Sequence, residues 1–327
     1  MTGARSSQAI AHPSLALIKY WGKQPTGINI PATTSIAVTL GGLESRTRAV
    51  GGDPDAEDRV HLGGVLQPTE RYSDLFAAIR RWVESRGGSR VSYNVESENS
   101  FPTAAGLASS ASGLAALVLA TVRASLPEIN PSDPETAGAL STLARIGSGS
   151  AARSIYGGFT RWAAGSERAE QIFPVDWWPE LRVVVLPVTG GAKPISSRDA
   201  MNRTRAESPF YDAWVRDSEQ LAGTAAEALS RRDLEQLGTA VRLSYMRMFA
   251  TMLGANPPIL YWHAATVAII HELAALRRAG VPVWETIDAG PQVKVVTLNN
   301  TVPVLLDALR DAPIADPIVC TVGEGAR

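Results

Sequence analysis

The stretch 100-SFPTAAGLASSASGLAALVLATV-122 constrains this chain more than any other. It opens as a loop of small residues and runs into an apolar helix that needs burial, so a core has to be built around it. Two readings fit such a junction. A helix starting near Leu107 leaves its first backbone N–H groups unpaired, and Gly106 beside Ala104 and Ala105 lets an anion approach them closely. Ser109, Ser110 and Ser112 add hydroxyls at the same end. The positive end of the helix could then hold phosphates without a Walker lysine. Glycine and alanine also permit tight packing, so the stretch is readable as a mere turn entering a core helix. No G-x-x-x-x-G-K-[ST] and no strand-linked G-x-G-x-x-G occurs elsewhere to compete with it.

The longest apolar run, Gly113 to Val122, falls well short of the roughly 20 residues a bilayer span needs. With 45% hydrophobic and 19% charged residues, a soluble globular protein without a membrane partner is expected. The N-terminus lacks a signal-peptide apolar segment, and the lone Cys320 allows no internal disulfide, so a reducing cytoplasm is the expected compartment. A net charge of -1 provides no global basic field for nucleic acid. Any anionic ligand must be held by local Lys and Arg clusters. The 327 residues suffice for one large α/β unit or two domains with a cleft between them.

Gln8 to Lys23 reads as a strand leading into a Tyr-Trp-Gly-Lys turn, followed by strands at Ile36 to Leu40, Arg46 to Val50 and residues 90–97. Helices are expected over 73–86 and 134–147, the latter opening on Pro and closing on Gly. Residues 181–188 form a β-branched run suited to a central strand. Beyond it come a polar segment to Ser208, long helical patterns from Pro209 to Leu253, and a helix through 258–280. Strands at Gln292 to Leu298 and Pro317 to Val322 flank a short helix at Val302 to Arg310. The first half is mixed α/β and the second α+β, helices on a small sheet.

Three further segments carry chemistry. The run 145-RIGSGSAARSIYGGF-159 offers hydroxyls at Ser148 and Ser150 and the fork of Arg153, suited to a phosphate or carboxylate, or else a loop with a surface Arg. In 18-IKYWGK-23, Lys19 and Lys23 stand four apart among aromatics. Asp288, in 286-TIDAGPQVKVVTL-298, sits on a turn between strand-like runs, where a carboxylate could serve as a general base or simply organise the hairpin. The four histidines are scattered, and His263 and His271, eight apart, fit no metal-ligand spacing.

Together the stretches 16-ALIKYWGK-23, 101-FPTAAGLASSASG-113, 147-GSGSAARSIYGGF-159, 194-PISSRDAMNRT-204 and 288-DAGP-291 resemble the diphosphomevalonate decarboxylases of the GHMP kinase superfamily. They span residues 16 to 291, in the family's order and at comparable spacing. The resemblance implies an α+β, two-lobed GHMP kinase fold. Residues 1–188 would form an ATP-binding domain like the second domain of ribosomal protein S5, and 189–327 a ferredoxin-like domain, with the active site between them.

It implies ATP and Mg2+ as co-substrate and metal, mevalonate 5-diphosphate as substrate, and a homodimer. Pro102, Ala105, Gly106, Leu107, Ala108, Ser109 and Ser110 would hold the ATP phosphates, with Ser109 and Ser110 nearest the metal. Asp288 would deprotonate or orient the substrate's 3-hydroxyl, with Lys19 beside it in the catalytic set. Tyr20, Lys23, Ser148, Ser150, Arg153, Ser197 and Arg198 would neutralise the substrate's diphosphate and carboxylate. Ser14, Thr33, Ala152, Phe249 and Gln292 depart from the family's usual residues, which puts substrate detail in question more than chemistry. Alternatives are a decarboxylase of mevalonate 5-phosphate, a mevalonate 3-kinase and a catalytically silent ligand-binding homologue.

Overall fold

The computed structural model describes residues 5–101, 109–188 and 195–327. The expected strand over Gln8 to Lys23 is two strands, β1 (Ser6–Ala11) and β2 (Ser14–Ile18). His12 and Pro13 part them, since proline gives a ladder no N–H, and the chain there passes from one sheet to another. β3 (Ser35–Gly41) and β4 (Ser45–Gly52) follow, then the short β5 (Arg59–Leu62) and β6 (Val65–Leu66). Next come α1 (Ser73–Glu84), β7 (Ser92–Asn99), α2 (Ser109–Ser125) and α3 (Pro134–Gly147). A 3-10 turn over Gly149–Ile155 leads to β8 (Phe159–Trp162), β9 (Glu170–Phe173) and β10 (Leu181–Leu186).

The remainder is helix-rich: α4 (Ser197–Glu207), α5 (Tyr211–Arg231), α6 (Leu234–Leu253) and α7 (Ala264–Arg278). β11 (Trp284–Ile287), β12 (Val293–Leu298), α8 (Val302–Ala308) and β13 (Ile318–Val322) complete it. The segment to Ser208 is thus not irregular throughout. α4 forms because Ser196 caps it, its hydroxyl accepting from the Asp199 N–H at 3.1 Å, although only Ala200, Met201 and Thr204 are buried. The helix expected over 258–280 begins instead at Ala264. Ahead of it the Ile259 N–H returns to the Met252 carbonyl at 2.9 Å, and Ile259 and Tyr261 turn inward while Leu260 faces out, a period of two. Arg232, in the left-handed region at φ 53°, ends α5, and Asp233 caps α6 by accepting from the Gln236 N–H at 2.9 Å.

One sheet has the order β1-β4-β7-β5-β6. Thirteen of the 17 residues of α2 are buried, which makes it a wall shared by this sheet, α3 and the 3-10 turn. Each of its buried leucines contributes about 1.5–3 kcal/mol by leaving water. The second sheet has eight strands in the order β11-β12-β10-β13-β3-β8-β9, with β2 on β3. β10 lies between β12 and β13, and β13 pairs with β3 through Thr321 with Gly41 and Val322 with Leu40. One sheet therefore runs through both halves of the chain. α5 and α6 cover it, and the loops after β2 and β11 meet beside α6.

Candidate active site

Lys19 follows β2 directly, and its backbone N–H donates to Ser244 Oγ of α6 at 2.9 Å. Its side chain, 2% exposed, donates from Nζ to the Ala16 carbonyl at 2.9 Å and to Asp288 Oδ1 at 2.7 Å. Asp288 stands just past β11, on the turn that Gly290 closes by donating to the Asp288 carbonyl at 2.7 Å. Its other oxygen, Oδ2, lies 3.2 Å from Nζ of Lys294 on β12. One carboxylate, its side chain 34% exposed, is thus held between two buried ammonium groups. Burial by itself would raise the Asp288 carboxyl; Lys19 and Lys294 outweigh that and hold it far below the usual carboxylate range. Burial pulls Lys19 down to about 8, against the opposing pull of Asp288.

Tyr20 and Arg153 adjoin this pair. The Arg153 guanidinium carbon lies 5.9 Å from the centre of the Tyr20 ring, which packs at 5.0 Å on Trp162. Arg153 Nη1 donates to Ser35 Oγ at 2.6 Å. Gly149 touches the Tyr20 hydroxyl so closely that a Cβ there would lie 2.5 Å from it, which explains the glycine between Ser148 and Ser150. Those two serine hydroxyls are 3.3 Å apart. Lys23 donates to Asn29 Oδ1 at 2.6 Å, and Asn29 in turn donates to the carbonyls of Arg145 and Ile146 at 2.9 and 3.1 Å. Burial, with the charge of Arg198, brings Lys23 to about 8. Gly22, between Trp21 and Lys23, has φ +110° and abuts the Tyr211 hydroxyl, so no side chain fits there.

Arg198 acts on this group through its charge: it opposes the rise that burial imposes on Tyr20 and depresses Lys23. Ser197 adjoins it in the first turn of α4. Ser109 and Ser110 open α2, and no hydrogen bond among the described residues joins them to the Lys19 and Asp288 pair. Pro102, Ala105, Gly106, Leu107 and Ala108 lie outside the described residues.

The departing positions are packed into the frame. Ser14 accepts from Ser154 Oγ at 3.2 Å, Ala152 is fully buried with Trp162, and Phe249 lies 4.6 Å from the Trp262 ring. Thr33 Oγ1 accepts from the Trp21 N–H at 3.4 Å. Gln292 acts like a neighbouring strand, accepting from the Val188 N–H at 2.5 Å and donating to its carbonyl at 3.2 Å. Sequence reasoning passed over Lys294, Asn29, Ser35 and Ser244. Only Lys294 left a signal, as the one charged residue in the apolar strand V-K-V-V-T-L.

The family model described as diphosphomevalonate decarboxylase-like N-terminal domain matches residues 11–173, and the mevalonate 5-diphosphate decarboxylase C-terminal domain matches 183–319. The chain belongs to the diphosphomevalonate decarboxylase family. Among its relatives, the diphosphomevalonate decarboxylase of Debaryomyces hansenii is 32% identical over 312 residues, covering 89% of this chain and 79% of that protein. The crystal structure of mevalonate diphosphate decarboxylase from Staphylococcus aureus is 33% identical with a TM-score of 0.89, covering 99% of this chain and 98% of that one. A structure of MDDEF in complex with MVAPP, AMPPCP and magnesium is 34% identical with a TM-score of 0.88, covering 99% of both chains. The mixed helix and sheet architecture is that of the diphosphomevalonate decarboxylases.

Proposed function

We propose that the protein converts mevalonate 5-diphosphate and ATP into isopentenyl diphosphate, CO2, ADP and phosphate. The observation that carries this reading is the carboxylate of Asp288 held ionised between two buried ammonium groups, with Arg153 near it and Arg198 acting by its charge on Tyr20 and Lys23. A polyanionic substrate needs such a local cluster in a chain of net charge -1.

In the first step the 3-hydroxyl oxygen attacks the γ-phosphorus of ATP, the bond to the leaving ADP breaks, and the hydroxyl proton passes by way of Asp288 to solvent water. Asp288 accepts a hydrogen bond from that hydroxyl and aims it. Its depressed pKa suits it to orient the proton rather than store it. In the second step the C3–O bond breaks with its electron pair leaving on phosphate, and the bond to the carboxylate supplies the electrons of the new double bond as CO2 departs. An anion near C3 stabilises the positive charge that develops there. Arg153, Lys23, Tyr20, Ser148, Ser150, Ser197 and Arg198 hold the diphosphate and carboxylate, with Lys19 completing the catalytic pair.

Among the described residues no three His, Cys, Asp or Glu side chains gather to hold a metal. The hydroxyls of Ser109 and Ser110 at the start of α2 are hard oxygen donors, and Mg2+ ordinarily takes one or two protein oxygens together with substrate phosphates. These serines would hold it, with ATP phosphates on the loop before them. When bound, Mg2+ neutralises charge on the transferring phosphoryl group. The division into 1–188 and 189–327, a homodimeric assembly and a cytoplasmic location belong to the same proposal. No helix among the described residues is long and apolar enough to cross a membrane.

The test incubates the protein with ATP, Mg2+ and, in turn, mevalonate, its 5-phosphate and its 5-diphosphate, following ADP and CO2 together. Equal ADP and CO2 from the 5-diphosphate is the expected result. ADP without CO2 would leave a 3-kinase, and turnover of the 5-phosphate alone would move the substrate assignment.

A pH profile provides an independent check. Lys19 and Lys23 both lose their protons near pH 8, whereas the substrate anions keep theirs off. Binding attraction is therefore present below about pH 8 and lost above it. The ratio kcat/KM, which reports the free enzyme, should fall about tenfold per pH unit above that point, and more steeply if both lysines must be charged. A flat profile to pH 10 would remove Lys23 from substrate binding and the charge of Lys19 from the catalytic pair.

A further inference from the structure

β12 is apolar except at Lys294, where a charge is buried to 1% exposure in the middle of a sheet, paired in register with Val185 of β10 and Thr286 of β11. A buried ammonium is expensive unless something requires it. Neutralising Asp288 does not: Lys19 already supplies one positive charge at 2.7 Å, so Lys294 leaves the trio with a surplus. A lone charge that breaks the apolar pattern of a buried strand is what functional sites show.

The geometry points to Lys294 as a positioning residue that fixes the plane of the Asp288 carboxylate by holding Oδ2 from β12 while Lys19 holds Oδ1 from the end of β2. A carboxylate gripped at one oxygen can swing about its last torsion; one gripped at both cannot. Both grips are themselves fixed. Lys19 is tied by its backbone to Ser244 and by its ammonium to the Ala16 carbonyl, and Lys294 sits on a strand paired on both sides. The turn between them is held by Thr266 Oγ1, which donates to the Pro291 carbonyl at 2.8 Å. The remaining lone pairs of Asp288 then face one direction, through its exposed third, toward the substrate hydroxyl. This inference rests on the decarboxylase reading above.

The charged groups around Asp288 are Lys19 after β2, Lys294 on β12 and, farther off, Arg153 of the 3-10 turn. Each favours its ionised form. Removing Lys294 takes away one of them, so the Asp288 carboxyl rises and the acid limb of kcat/KM moves toward neutral pH. Lys294→Met should lower kcat about 10²-fold, the scale of a small misplacement of a reacting group, with KM for both substrates unchanged within about twofold. Lys294→Arg, which returns the charge, should recover a large part of kcat and restore the acid limb. Should the Met variant fail to fold, Lys294→Gln is expected to give the same kcat loss and limb shift. Wild-type kcat in either neutral variant overturns the inference. So does a kcat loss with an unmoved acid limb and no recovery in Lys294→Arg, which would make the lysine packing alone. The unmodified protein is assayed alongside; its failure to release ADP and CO2 would instead overturn the decarboxylase reading.

Discussion

Asp288→Asn is expected to lower kcat by about 10²–10⁴-fold while leaving KM for ATP and for the 5-diphosphate within a few-fold, since the side chain keeps its shape and loses its charge. The loss combines two effects. The amide directs the 3-hydroxyl less well, and it no longer balances positive charge at C3 when phosphate departs. A second consequence follows for stability. Lys19 and Lys294 would face each other, both 1% exposed, with no anion between them. Removing one partner of a buried ion pair costs about 3–5 kcal/mol, and less here because the Asp288 side chain is a third exposed. Lys19, already brought down to about 8, should then deprotonate more easily still. The variant should therefore melt lower at pH 7 and regain part of the difference at higher pH. Rapid-quench measurement of ADP formation, with melting curves at pH 7 and pH 9, checks both. Near-normal turnover would take Asp288 out of the mechanism; unchanged melting would show that the lysines do not depend on it.

What could be read from the sequence was local. The K-Y-W-G-K segment, the G-S-G-S turn with Arg153 and the D-A-G-P turn each hold their candidate side chains within a few residues, and Lys19, Tyr20, Arg153 and Asp288 come together from them. The split at His12 and Pro13 is hard to read because strand-like residues stand on both sides of it, half-buried in β1 and wholly buried in β2, yet the two strands enter different sheets. α4 was invisible to hydrophobic periodicity, having three buried residues in 11, and only the Ser196 cap marks it. Residues 258–263 mimic a helix in composition while Ile259 and Tyr261 alternate as in a strand. The pairing of β13 with β3, which joins the two halves, links positions about 280 residues apart and has no sequence signature. Lys294 was overlooked for a similar reason, since a lone charge in an apolar strand takes its meaning from Asp288 across the turn.

Arg153→Met separates binding from folding, because the same guanidinium should help one and burden the other. Arg153 is 2% exposed, and its contacts among the described residues are one neutral hydroxyl, Ser35 Oγ at 2.6 Å, and the face of Tyr20. Its Nε has no hydrogen-bond partner among them. Burial draws its pKa down to about 10, low for an arginine though still fully charged at neutral pH. A buried charge so poorly matched destabilises the ligand-free fold, and a substrate phosphate or carboxylate would supply the missing partner. Truncating one side of a buried, hydrogen-bonded charge pair typically costs about 2–5 kcal/mol of binding. KM for the 5-diphosphate should therefore rise on the order of 10²–10³-fold, with KM for ATP nearly unchanged. The ligand-free protein should melt at the same temperature or higher, and the substrate should no longer raise it. An Arg153→Met protein that melts lower and binds the 5-diphosphate normally would place Arg153 in the frame of the fold and leave the anion to Lys23 and Arg198.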